Sequence, residues 1–121
     1  MPLFDDKKVI FVPVNASLFE WVIENVSKNA IDAMEGSGEI RFNISETDKT
    51  ILVDITDTGK GIPRNAFKKI FNPGYTTKQR GWGLGLSLAK RIIEEFHNGK
   101  IYVRHSEVGI GTCIRIVMNR E

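Results

Sequence analysis

The sequence predicts an α+β protein built as a two-layer α/β sandwich, in which a mixed sheet of about five strands carries three helices on one face. Three observations support this class. Apolar residues recur at helical spacing over residues 18–34, apolar and polar residues alternate over residues 40–56, and a second alternating stretch covers residues 112–117. These periodicities follow one another within a chain of 121 residues, which is long enough for one hydrophobic core.

Composition and charge exclude several classes of protein. The net charge of +2 is too small to indicate binding to nucleic acid or to an anionic membrane surface, and no apolar run approaches the ~20 residues that span a bilayer. No signal peptide is visible, and the single cysteine, Cys113, rules out an internal disulfide and fits a reducing compartment. We expect residues 1–8 to be an N-terminal tail and residues 9–121 to form one domain.

The N-terminal part of the chain predicts a strand followed by a helix. Residues 9–12 predict a strand that ends at Pro13, because proline cannot donate to a strand ladder. Ser17 and Glu20 have the spacing of a capping box, so a helix should begin there and end at the glycines that follow Glu35.

A β-hairpin should come next. Every second residue is apolar from Ile40 to Ile44 and again from Ile51 to Ile55, with a turn-like stretch at residues 46–49 between them. This alternation predicts two antiparallel strands that share one apolar face.

The C-terminal half supplies the remaining elements. Residues 64–71 predict a short helix with Pro63 near its start, and the stretch 72–82, rich in Gly, Thr and basic residues, predicts a mobile loop. A third helix is expected over residues 84–96. The last two strands are predicted at residues 101–103 and 112–117.

Two asparagines mark one edge of the first predicted helix. Asn25 and Asn29 are four residues apart and therefore share a face, at the border of the apolar arc. Amides at that border can line a cleft, and an amide oxygen can ligate a hard cation such as Mg²⁺. The alternative is that both are ordinary polar residues at the edge of a core.

An aspartate ends the apolar series of the hairpin. Asp57 has the parity of Ile55, so its carboxylate should face the core, where it needs hydrogen-bond donors. Gly59 and Gly61 follow, and glycine allows close approach of the backbone to a ligand. An adenine amino group would suit this acceptor, whereas a guanine carbonyl would be repelled. The alternative is an aspartate that only caps the turn before Pro63.

A threonine and a glycine-rich stretch complete the pattern. Thr112 has the parity of Ile114, so its hydroxyl should face inward and can bridge Asp57 and a ligand, although a threonine that merely fills a strand position is equally compatible. Residues 81–85 place three glycines before a helix, where bare N–H groups form an anion site. The alternative there is a flexible linker. Neither the Walker string nor the Rossmann fingerprint is present.

These motifs occur in one order, and on them the chain resembles the ATP-binding catalytic domain of two-component sensor histidine kinases, within the superfamily of gyrase, the MutL repair proteins and a heat-shock chaperone (the Bergerat fold). The likeness covers residues 9–118. It rests on the asparagine box at 25–29, the D-x-G-x-G box from Asp57, the aromatic box at 67–71 with its continuation to Lys78, the phosphate loop at 83–89, and the stretches 97–99 and 109–112.

The resemblance implies ATP and Mg²⁺ as cofactors and assigns a role to individual residues. It places Asn29 on the metal, and Asn25, Asn29 and Lys78 in the catalytic set. The residues expected to contact the nucleotide are Lys28, Asn29, Asp57, Gly59, Gly61, Ile62, Tyr75, Thr76, Thr77, Lys78, Gly81, Gly83, Leu84, Gly85, Leu86 and Thr112.

Asn25 separates the kinases from the hydrolysing relatives, which carry a Glu four residues before the metal-binding Asn as the base that activates water. An amide cannot take a proton, and Glu24 is rotated by ~100° toward the polar face, so phosphoryl transfer is favoured over hydrolysis. The sequence departs from the family at Trp82, where Thr or Ser is usual, and at Asp32, where many members have Lys.

Neither His97 nor His105 follows the pattern of a phosphoacceptor, a histidine with an acidic residue directly after it on an amphipathic helix. We therefore expect the acceptor to lie on a separate dimerisation domain of the same kinase, which passes the phosphoryl group to a response regulator. The domain itself should be monomeric and cytoplasmic, with no nucleic-acid partner, even if its parent protein is membrane-anchored. The alternatives are a gyrase- or MutL-type ATPase, a non-catalytic ATP-gated binding module and a serine-directed kinase.

Overall fold

In the computed structural model, which describes residues 15–35, 37–73 and 85–119, four strands form one antiparallel sheet. The strands are β1 (Ile40–Glu46), β2 (Thr50–Asp57), β3 (Lys100–Glu107) and β4 (Gly111–Asn119). Their order across the sheet is β1-β2-β4-β3, and each neighbouring pair is antiparallel. The strand predicted over residues 9–12 lies outside the described residues, so a fifth strand and a mixed sheet stay predictions.

The first helix, α1 (Ala16–Ala33), is capped by a different residue from the one predicted. Asn15 is the N-cap, with extended backbone and a side-chain oxygen that accepts a hydrogen bond from the N–H of Leu18 at 3.0 Å. Ser17 lies inside the first turn, so the predicted capping box is wrong. Asparagine is at least as good an N-cap as serine. Because Asn15 precedes Ser17, the helix begins two residues earlier than the capping box predicted. The helix ends before Glu35, which takes the left-handed conformation with φ 54°.

The remaining helical segments are less regular than predicted. Residues 64–71 form two 3₁₀ turns, Arg64–Ala66 and Lys69–Phe71, instead of one short helix. The second helix, α2 (Gly85–Arg91), continues into a π-helical turn, Ile92–Phe96. His97 closes that turn, since its Nδ1 lies 3.0 Å from the carbonyl oxygen of Ile92. No helix in the described segments is long and apolar enough to cross a membrane.

The core lies between the sheet and the helices, as the two-layer prediction requires. Ile51, Val53 and Ile55 of β2 are at most 3% exposed, which confirms the alternation predicted for this strand. On the helical side the core is filled from α1, from α2 with its π turn, and from the 3₁₀ turns; the residues are Val22, Ile23, Val26, Leu86, Ala89, Ile92, Ile93, Ala66, Ile70 and Phe71.

The opposite face of the sheet holds a buried ion cluster. Asp54 is 4% exposed and stands in register with Arg115 on β4. The guanidinium of Arg115 donates to both carboxylate oxygens, at 2.8 and 2.9 Å, and Arg104 of β3 adds a third bond at 3.1 Å. The hydrogen bonds from Arg115 are the main reason that the pKa of Asp54 lies below its usual value, although burial opposes them. Three strands are thus joined through one carboxylate.

Replacing this carboxylate by an amide should destabilise the fold. We expect Asp54→Asn to lower the free energy of unfolding at pH 7 by about 2 kcal/mol, because the negative charge is lost and one of the two acceptor oxygens becomes an N–H donor that cannot bond to the guanidinium groups. The pKa is lowered by folding, so the stabilisation is present above the ordinary value of 3.8 and is lost as pH falls through the lower folded value. Urea unfolding at pH 7 and pH 3 measures both effects.

Asp48→Asn, in the exposed turn between β1 and β2, is the matched control with the same change in charge. It should leave the unfolding midpoint nearly unchanged. The role of the cluster would be contradicted if the two substitutions lowered the free energy of unfolding equally. It would also be contradicted if the difference in free energy of unfolding between wild type and Asp54→Asn were as large at pH 3 as at pH 7.

Candidate functional site

A cavity of about 570 Å³ opens between α1, the end of β2 and the start of α2. The sheet contributes apolar side chains together with Asp57 and Thr112, and the remaining polar lining residues come from α1 and from the residue Lys60 after β2. Among the described residues, the cavity is lined by Asn25, Val26, Lys28, Asn29, Ala30, Asp32, Ala33, Ile55, Asp57, Lys60, Gly61, Ile62, Pro63, Ile70, Gly85, Leu86, Val108, Thr112 and Ile114.

The structure brings most of the described site residues predicted from the sequence into this one cavity. Those that line it are Asn25, Lys28, Asn29, Asp57, Gly61, Ile62, Gly85, Leu86 and Thr112. Gly59 is not among the lining residues, and its backbone N–H donates a hydrogen bond to Asp57. The predicted residues outside the described part of the chain are Tyr75, Thr76, Thr77, Lys78, Gly81, Gly83 and Leu84.

Asp57 forms the inner end of the cavity. It is 8% exposed, which confirms the parity prediction, and its Oδ1 accepts hydrogen bonds from the backbone N–H groups of Gly59 at 2.8 Å and Thr112 at 3.3 Å. Burial raises the pKa of this carboxyl, and the two N–H groups only partly oppose the shift. Both bonds use Oδ1, so within the described segments Oδ2 accepts none.

A turn after Asp57 holds the cavity wall against the β3–β4 connection. Gly61 has φ 77°, and a Cβ there would collide with the carbonyl group of Glu107. The turn is fixed on both sides, because the N–H of Lys60 donates to the carbonyl of Ala33 at 3.0 Å and the carbonyl of Lys60 accepts from Gly109 at 2.8 Å. The turn therefore connects the end of α1 to the sheet, and only glycine suits the position of Gly61.

Thr112 faces inward as predicted, but its hydroxyl is not bonded to Asp57. It lies 2.7 Å from Ser106 Oγ on the neighbouring strand, while the backbone N–H of Thr112 serves Asp57. Sequence reasoning missed Ser106. A β-bulge between Val103 and His105 shifts the register of β3 and turns Ser106 to the helix side of the sheet. The alternation predicted for residues 101–103 gave no sign of that shift.

The other end of the cavity lies where α2 approaches α1. Asn25 Nδ2 donates to the carbonyl of Trp21 at 2.9 Å. Its Oδ1 is so near the start of α2 that a Cβ on Gly85 would be 3.0 Å away. Asn29, one turn further along α1, lines the same wall, so the predicted common face of the two asparagines is confirmed. Lys60 also lines the cavity and was not predicted.

Comparison with known proteins agrees with this geometry. The sequence model of the histidine kinase-, DNA gyrase B- and HSP90-like ATPase family matches residues 15–121. Sporulation kinase E of Bacillus subtilis (strain 168) is 39% identical over 98% of this chain and 16% of its own length. The signal transduction histidine-protein kinase AtoS of Escherichia coli (strain K12) is 38% identical over 88% of this chain and 18% of its own length. The chain thus spans less than a fifth of these relatives.

Solved structures show the same likeness. The catalytic domain of histidine kinase ThkA has a TM-score of 0.79 and 31% identity, covering 90% of this chain and 71% of that one. A complex of ThkA with the response regulator protein TrrA has a TM-score of 0.81 and 28% identity, covering 98% and 33%. The chain therefore belongs to the histidine kinase-, DNA gyrase B- and HSP90-like ATPase family, and its relatives within that family are sensor histidine kinases.

Proposed function

We propose that the cavity binds Mg-ATP and positions its γ-phosphoryl group for transfer to a histidine on a separate dimerisation and acceptor domain of the same kinase. A response regulator would then take the phosphoryl group from that domain. The observation that carries this proposal is the buried carboxylate of Asp57, which lines the same cavity as Asn29 and the start of α2.

The base end has the chemistry of an adenine site. Asp57 Oδ2 takes no part in the backbone hydrogen bonds of Oδ1, so it is available to an exocyclic amino group. Ile55, Ile62 and Ile114 line the same cavity, and apolar walls of this kind suit a flat heterocyclic ring. A carboxylate is only an acceptor, so a carbonyl oxygen at the same place would be repelled.

The phosphate end suits a metal that arrives with the nucleotide. Among residues 15–35, 37–73 and 85–119, no group of three or more His, Cys, Asp or Glu side chains could hold a metal ion alone. Mg²⁺ typically binds through few protein ligands together with substrate phosphates and waters, and the amide oxygen of Asn29 is such a ligand. Lys28 lines this end and adds positive charge, and Lys78 is proposed to do the same.

The side chains near the phosphates favour transfer over hydrolysis. Asn25 cannot accept a proton, and Glu24 is exposed on the outer side of α1. An acceptor imidazole is itself the nucleophile, so this domain needs only to position ATP and neutralise charge. His97 is unsuited to be that acceptor, because Nε2 accepts from the N–H of Asn15 at 2.9 Å and Nδ1 faces the carbonyl of Ile92.

The Asp57→Asn variant tests the base contact. Loss of a charge-assisted hydrogen bond should weaken ATP binding by about 10–100-fold. The base contact requires the ionised carboxylate, and folding raises the pKa of Asp57. The affinity of the wild-type protein for ATP should therefore fall as pH decreases through the folded pKa of Asp57, whereas the affinity of Asp57→Asn should not show this loss. Calorimetric titration with ATP from pH 7 to pH 4, close to the ordinary value of 3.8, measures the difference; titration of the ATP phosphates affects both proteins alike.

Stability provides the control for this variant. Because folding raises the pKa of Asp57, its contribution to stability is complete below 3.8 and is lost as pH rises through the folded value. The amide still accepts the two backbone bonds, so Asp57→Asn should be at least as stable as wild type at pH 7. Unchanged ATP affinity in this folded variant would contradict the adenine contact.

Asn29→Ala tests the metal ligand. Even residues that only support metal ligands are worth about 10–100-fold in metal affinity, so we expect at least a ~tenfold loss of ATP affinity in the presence of Mg²⁺. Binding in EDTA should remain close to that of wild type. An equal loss with and without Mg²⁺ would show that Asn29 contributes to the cavity wall but not to metal binding.

The transfer step itself can be measured with the domain and a dimeric acceptor hairpin of a sensor histidine kinase. ATP labelled with ³²P at the γ-phosphate should label the hairpin, and replacing its acceptor histidine by alanine should abolish the signal. Steady phosphate release without acceptor would indicate an ATPase instead. Tight nucleotide binding with no label on the native acceptor domain would indicate an ATP-gated binding module.

A further inference from the structure

Ser106 occupies a position behind the base end of the cavity. It does not line the cavity, yet its hydroxyl contacts three groups around it. Its Oγ accepts a hydrogen bond from the N–H of Ile62 at 2.7 Å, donates to the carbonyl of Gly111 at 3.0 Å, and lies 2.7 Å from the hydroxyl oxygen of Thr112. Ser106 and Thr112 are paired in the β3–β4 register.

The direction of these hydrogen bonds depends on which acceptor takes the single proton of Ser106. A serine hydroxyl has one proton and two lone pairs. The proton goes to Gly111 O, and one lone pair accepts from Ile62 N–H. With the serine proton on Gly111 O, the remaining lone pair can only accept, and the bond to Thr112 then uses the proton of the threonine hydroxyl. Thr112 Oγ1 is thereby left with lone pairs alone on its cavity side.

We propose that Ser106 is a positioning residue that holds the hydroxyl of Thr112 as an acceptor toward the nucleotide base, and so selects 6-aminopurines over 6-oxopurines. This inference rests on the proposed function of the cavity. The inference extends the proposed function, because discrimination between the two classes of purine would come from the acceptors of both Asp57 and Thr112 rather than from Asp57 alone.

The chemistry of the two purine classes explains why this matters. A 6-amino group has two N–H donors, which match Oδ2 of Asp57 and the lone pairs of Thr112. A 6-oxo group presents only lone pairs and is repelled by both. Without Ser106, the hydroxyl of Thr112 could rotate, because hydroxyl protons turn to suit their partners, and could donate to a carbonyl. Selectivity against the 6-oxo group would then decrease.

The Ser106→Ala variant tests the inference, with ATP and inosine triphosphate as probes. Inosine triphosphate carries the 6-oxo group without the 2-amino group of guanine. It therefore differs from ATP only in the group at position 6 and in the proton on ring nitrogen N1. Calorimetry on the intact domain should show that wild type prefers ATP. In Ser106→Ala this preference should narrow by about fivefold, the value of one ordinary hydrogen bond, with affinity for inosine triphosphate retained or increased.

Three further variants separate positioning from a merely structural role. In a Thr112→Val background, Ser106→Ala should no longer change the preference, because Ser106 acts through Thr112. Ser106→Thr should keep the wild-type preference, since it restores the hydroxyl. If Ser106→Ala fails to fold, Ser106→Cys carries the same expectation, because a thiol is a weak partner.

The outcomes distinguish this inference from the function on which it rests. Equal weakening of both nucleotides in Ser106→Ala, with the preference unchanged, would overturn the positioning role and leave the adenine site intact. A further loss of preference on adding Ser106→Ala to Thr112→Val would overturn the positioning role as well. A wild-type protein that binds ATP and inosine triphosphate equally would overturn the base contact of Asp57 together with this inference.

Discussion

The register between β2 and β4 is the constraint on which the rest of the structure depends. This pairing sets Asp54 opposite Arg115 and Asp57 opposite Thr112. The first pair forms the ion cluster on the outer face of the sheet, and the second pair lines the cavity on the inner face. Because side chains alternate between faces, a slip of one residue would move both carboxylates to the wrong side. The ion cluster and the proposed base site therefore depend on the same pairing.

Helix α1 carries the other half of the cavity wall, and three contacts hold the helix in place. The carbonyl of Ala33 accepts from Lys60 after β2, and Asn25 meets the start of α2 where Gly85 leaves room. The N-cap, Asn15, is joined through its backbone to His97 at the end of the π turn. Both ends of α1 are thus connected to other elements, which fixes the distance between Asn29 and Asp57 that a nucleotide would have to span.

Local patterns were sufficient to predict much of this arrangement. Parity along β2 predicted that Asp57 is buried, and the four-residue spacing on α1 predicted that Asn25 and Asn29 share the cavity wall. What the patterns could not show depends on partners far away in sequence. Asp54 belongs to the polar series of its strand, and its burial is explained by Arg104 and Arg115, which lie 50 and 61 residues later. Ser106 required knowledge of a β-bulge, and the cap at Asn15 competed with an equally good signal at Ser17.

The two buried aspartates of β2 show how the same residue type can serve structure and function. They lie three residues apart on one strand, and their pKa values move in opposite directions. Asp54 is neutralised by guanidinium groups, so its charge is stabilised where it lies. Asp57 is met by two backbone N–H groups on a single oxygen and is buried without a cationic partner among the described residues. A buried carboxylate is costly unless donors satisfy it, and perturbed groups of this kind concentrate at functional sites. The donor that Asp57 lacks is what an exocyclic amino group would provide, so the feature that lowers the stability of the domain is the one that would make it selective.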